Sequence, residues 1–225
     1  MRALLLKVRD ASLARPWLLA PPLLGVIAQR VLWSMTIPDA GPGGAMGRGL
    51  MGALLTVVVT AAFAELYLGD GKSFDAARFF AFGLLYLIPY PLLLVFGALA
   101  TPVVYGLLHS GAPEAAVYGV LYLTVGVGKL AAYAVGAASS LAAAREPRPD
   151  GVLRALGAGF KDLKANAVSL GLLFVGAWVL EEALAWAARA AGLGIVSGVV
   201  TTAVPLLACV AAPIEGRRSG LLREA

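Results

Sequence analysis

Lys129 is a lone charge inside an apolar run from about Ala115 to Leu141. Gly119, Tyr122, Gly126, Lys129, Tyr133 and Gly136 follow one another at alternating steps of three and four, which is one stripe of a helix. Glycines on such a stripe let a neighbouring backbone approach, and the phenols of Tyr122 and Tyr133 offer an ammonium oxygen partners. A charge at that depth in an apolar span is costly and needs a purpose. Three are open: a proton relay, a polar cavity that receives an anionic headgroup, or an ion pair that fixes helix register.

The partners available are few. Arg30 lies just past the middle of a first apolar run, and Glu181 and Glu182 lie in the outer part of a fifth. At ~1.5 Å of rise per residue, Arg30 and the two acids differ in depth by only ~3–5 Å. Adjacent side chains on a helix point ~100° apart, so Glu181 and Glu182 are not expected to face one cavity. Glu182 shares a stripe with Trp178, Trp186 and Arg189, as in an interfacial belt. Glu181 shares its face with Phe174, Ala177 and Ala188 and is the expected inward acid. The predicted cluster is therefore Arg30, Lys129 and Glu181, with Tyr122 and Tyr133 beside it. Glu65, near the inner end of the second run, reads as interfacial.

Pro89 and Pro91 remove two backbone donors near the middle of a third run. Broken helices at mid-membrane are one way to build a transport site, and a simple kink is the other reading. Gly194 and Gly198 form a GxxxG packing step. Other chemistry is missing: His109 is the only histidine and Cys209 the only cysteine. A histidine-based metal site, a catalytic triad and an intrachain disulfide are thereby excluded. There is no P-loop, GxSxG or dinucleotide fingerprint, and DGKSFD has the spacing of a loop. No enzyme activity and no cofactor are expected.

The elements that position these residues are membrane spans. Of the 225 residues, 60% are hydrophobic and 14% charged, and the mean hydropathy is +0.85. Soluble domains carry about 25% charge. The whole chain reads as one transmembrane domain, all-α, with its first apolar run retained and not cleaved as a signal. The formal charge of +5 does not signal nucleic acid, because the basic residues flank apolar runs.

Six spans are predicted: about 17–37, 49–68, 79–108, 115–141, 166–187 and 194–213, all at least the ~20 residues a bilayer requires, with the third longer than one upright helix needs and so tilted, kinked or extended. Fourteen of the eighteen Lys and Arg residues then fall on one side. That bias predicts both termini in the cytoplasm and a cell-membrane location.

The three inner segments begin near residues 1, 72 and 150. Val152, Leu156, Phe160 and Leu163 alternate with Arg154, Lys161, Asp162 and Lys164, an amphipathic helix lying along the inner face. A basic elbow before each hairpin would make three parallel elbow-plus-hairpin units; any six-span chain with charged inner loops shows the same rhythm. This rhythm, and above all DGVLRALGAGFKDLKAN running into a span, resembles uncharacterised prokaryotic polytopic membrane proteins related to the membrane domain of glycerophosphodiester phosphodiesterases. The resemblance implies a membrane module. It carries over neither phosphodiester hydrolysis nor any site residue.

Three functions compete. The leading expectation is a small multi-pass protein of transporter-like or membrane-module type, with the lipid bilayer as its first partner. An ABC-type exporter permease would add an ATPase partner or another membrane subunit at the inner face. A non-transporting scaffold would keep Lys129 and Glu181 paired and dry.

Overall fold

A computed structural model describes residues 2–35, 41–69, 74–87, 102–145 and 151–223, and all regular structure among them is helical. The first helix, α1 (Arg2–Leu13), ends where Pro16 keeps Arg15 out of the helical conformation. The chain bends by 94° there. A 3-10 turn, Pro16–Leu19, then leads into α2 (Ala20–Met35). Pro21 and Pro22 sit in its first turn, where no backbone donor is required. After α3 (Gly41–Leu68) and α4 (Ala76–Leu87) comes a helix over 102–109, α5. The remainder comprises α6 (Glu114–Arg145), α7 (Val152–Ala165), α8 (Ala167–Ala190), α9 (Gly194–Leu206), a π-turn (Leu207–Ala211) and α10 (Ala212–Arg218).

Three of these elements are long and apolar enough to cross a bilayer: Glu114–Arg145, Ala167–Ala190 and Gly194–Arg218. The bent pair of α1 with Pro16–Val31 makes a fourth if taken as one span. Leu54–Leu68 and Ala76–Leu87 are shorter apolar helices. Much of the third expected span, with Pro89 and Pro91, lies outside the described residues.

Charged side chains lock one end of the bundle. Arg15 donates from Nη1 to the Tyr67 carbonyl at 3.1 Å, and Arg218 from Nη2 to the Leu68 carbonyl at 2.9 Å. Two guanidiniums from distant parts of the chain thus cap the last turn of α3, where carbonyls lack helical donors and the dipole favours cations. Glu65 is buried here; it accepts from Nε and Nη2 of Arg78 and from the backbone N–H of Asp75, tying α3 to α4.

The helix α7 forms where periodicity predicts it, but its buried face differs from the expected one. Ala155, Leu156, Gly159, Asp162 and Asn166 turn inward, whereas Leu153 is 77% exposed and Phe160 40%. A Cβ on Gly159 would lie 2.0 Å from the Ala138 carbonyl oxygen, so α7 is held backbone-to-backbone on α6. Asp162 is fully buried and accepts from Arg217 at 2.7 Å and Arg145 at 3.5 Å. Asn166 exchanges two hydrogen bonds with the backbone of Arg223 and donates to the Asp162 carbonyl. The elbow is a clamp between α6 and the C-terminal tail.

At the opposite end, Gly192 closes the turn from α8 to α9 at φ +73°. Gly192 donates to the Arg189 carbonyl and Leu193 to that of Ala188, the paired bonds of a glycine-terminated helix. Gly198 and Gly194 face α2: added Cβ atoms would meet Val26 at 3.0 Å and the Arg30 guanidinium at 3.2 Å. The GxxxG step is used for packing.

Candidate functional site

The crossing of α6 and α8 is set by Gly126, where a Cβ would come within 2.7 Å of the Trp178 ring. Close approach there brings Lys129 opposite the acids one turn further along α8. Its ammonium donates to Glu181 Oε1 at 3.0 Å and to Glu182 Oε1 at 2.6 Å. Tyr133, one turn below on α6, donates its hydroxyl to Glu181 Oε2. Phe174 meets the Tyr133 ring edge-on, with centroids 6.0 Å apart. Glu181 is only 3% exposed, and each of its oxygens has a donor, as a buried carboxylate requires.

Lys129, Tyr133 and Glu181 of the predicted cluster are therefore brought together, and the other two members are not. Tyr122 is 63% exposed, since the stripe is covered only from Gly126 to Gly136. Arg30 is exposed and makes no ion pair among the described residues. Its helix docks on α9, whereas the acids of α8 face α6. Glu182 is a further correction: it joins the cluster despite diverging from Glu181. The long lysine stem places one ammonium between two side chains that point apart.

Beside this cluster lies a cavity of about 340 Å³ between α2, α3, α4, α6 and α9. Thr56, Thr60, Tyr86, Tyr133, Thr201 and Thr202 line it, with Gln29, Gly136, Pro205 and Cys209. Several polar groups converging on a mid-bundle space is what distinguishes a binding site from a packing defect. A larger groove of about 560 Å³ between α1, α8 and α9 has only Arg9 and Ser12 as polar lining.

Two prolines shape the α9 wall. Pro205 and Pro213 have no N–H for the carbonyls of Thr201 and Cys209, four residues earlier. Between them the helix loosens into the π-turn. The Ser140 hydroxyl reaches the Cys209 carbonyl at 2.7 Å and that of Gly136 at 2.8 Å, and it in turn accepts from the Tyr86 hydroxyl. Cys209 packs against Gly136, where a Cβ would stand 3.2 Å from Sγ. The threonine wall and the Ser140 bridge escape sequence reasoning. The usable signals are Thr56 with Thr60, Thr201 with Thr202, and Pro205 with Pro213. Among the described residues no group of acids, histidines and cysteines could hold a metal ion.

The chain matches no family model, no curated protein and no solved structure, so its function must be argued from this geometry.

Proposed function

We propose that this chain is a transporter-like membrane protein with six spans, both termini cytoplasmic in the cell membrane, that binds a small polar solute in the bundle cavity. The observation that carries the proposal is the cavity wall. Four threonines and two tyrosines are among the residues lining about 340 Å³ of space between the helices, where a purely structural bundle would gain more from apolar filling. The polarity of the ends supports six crossings. Arg15, Arg78, Arg145, Arg217 and Arg218 interlock at the same end where α3 and α6 finish and α4 begins. Reporter fusions after Gly111 and at Ala225 should report opposite sides; the same side for both contradicts six crossings.

Uptake into proteoliposomes tests the function. A panel of radiolabelled small solutes, acidic, basic and neutral, is compared for wild type and Thr202→Trp, which fills the cavity. At least one class should enter faster with wild type. No difference for any solute contradicts transport and favours the second reading, a scaffold. That reading has one observation in its favour: Lys129, Tyr133 and Glu181 satisfy one another without needing a solute.

A further inference from the structure

Resting on the cavity reading, we infer that the solute class is a small organic cation bearing an ammonium group, because the wall's hydroxyl protons are already committed elsewhere. Thr56 donates to the Gly52 carbonyl at 2.9 Å and Thr60 to the Thr56 carbonyl at 2.7 Å. Thr201 and Thr202 both donate to the Gly198 carbonyl at 3.0 Å. Tyr133 gives its proton to Glu181. The single proton of Ser140 goes to a carbonyl, so the proton between it and Tyr86 belongs to Tyr86. A hydroxyl has one proton and two lone pairs. What the four threonines have left for the cavity is therefore oxygen lone pairs.

Two further features point the same way. Pro205 has no N–H for the Thr201 carbonyl, and a carbonyl released from its helix is a ligand for cations in membrane sites. Behind Tyr133, two carboxylates face one ammonium. Gln29, exposed at the edge of the lining, offers an amide donor and does not change the balance. An anion would meet lone pairs throughout the deeper wall. About 340 Å³ exceeds the space a bare metal ion fills, which is why an alkylammonium is the fitting guest.

The test is thermal unfolding of the purified protein in detergent with ethylammonium chloride against sodium propionate at matched ionic strength. Ethylammonium should raise Tm, with a shift that grows with concentration and saturates, while propionate does not. Thr60→Val and Thr202→Val, which keep side-chain shape and remove an acceptor, should each weaken the ethylammonium effect about tenfold in apparent Kd, the order expected for a lost hydrogen bond to a charged group. A larger shift with propionate, equal shifts with both salts, no shift, or unchanged binding in both valine variants would overturn the inference. Solute uptake without an ammonium preference overturns it and leaves the transport reading standing; ammonium binding without uptake does the reverse.

Discussion

Tyr133 gives its phenolic proton to Glu181 while lining the bundle cavity. One residue thus forms part of both the ion cluster and the cavity wall. The cluster sits behind the wall and is not itself in the cavity: neither Lys129 nor Glu181 belongs to the lining. A structural ion pair and a solute site are therefore compatible in this bundle, although the sequence presents them as alternatives.

Removing the hydroxyl of that bridge should cost more than its size suggests. Tyr133→Phe leaves Glu181 Oε2 without its donor at a position with 3% exposure. A lost hydrogen bond to a buried charge is worth about 1.5–3 kcal/mol. Denaturant unfolding in detergent measures it, and a neutral Tyr133→Phe would show that the bond contributes nothing.

Lys129→Met should destabilise by about 3 kcal/mol, the lower end for a broken buried pair, because the lysine side chain keeps 29% of its exposure. The double variant Lys129→Met with Glu181→Gln should recover much of that loss. Glu182, whose side chain is 37% exposed, is kept unchanged in both variants. Additive losses in the double variant would contradict a coupled pair.

Two glycines in α7 make a matched comparison. Gly159→Ala drives a Cβ to 2.0 Å from the Ala138 carbonyl oxygen and must push α7 off α6, at about 1–3 kcal/mol or more. Gly157→Ala meets nothing within 4 Å and should gain up to about 1 kcal/mol of helix propensity. Equal effects in thermal unfolding would contradict the close packing of this clamp.

Ser140→Ala should cost about 1–3 kcal/mol, since it strips a donor from the Cys209 carbonyl and an acceptor from Tyr86. In a Pro213→Ala background the cost should shrink, because residue 213 then has an N–H to serve that carbonyl. An unchanged cost in the double-mutant cycle would mean that Pro213 is not the reason for the bridge.

What could be read from residues alone was whatever carries a local penalty or a local period. Lys129, Glu181 and Tyr133 were legible because a charge in an apolar run demands partners at matching depth. The α7 helix was legible from its repeat, but not its inward face. Asp162 resembles any solvated acid until Arg217, 55 positions away, is seen against it. The Cys209 carbonyl was equally hidden, since its donor Ser140 lies 69 positions earlier. Arg30 misled because depth was estimated and direction was not: α2 turns it toward α9.

The central claim, a bundle cavity open to small polar solutes, is tested most directly by thiol labelling in proteoliposomes. Thr60 lies on the wall and is buried, and Val179 is an exposed apolar position on α8. In a Cys209→Ala background, Thr60→Cys and Val179→Cys each present one thiol to a charged, water-soluble methanethiosulfonate. The account predicts that Thr60→Cys reacts and that Val179→Cys, facing lipid where the thiolate does not form, stays inert. An inert Thr60→Cys in folded protein would contradict it.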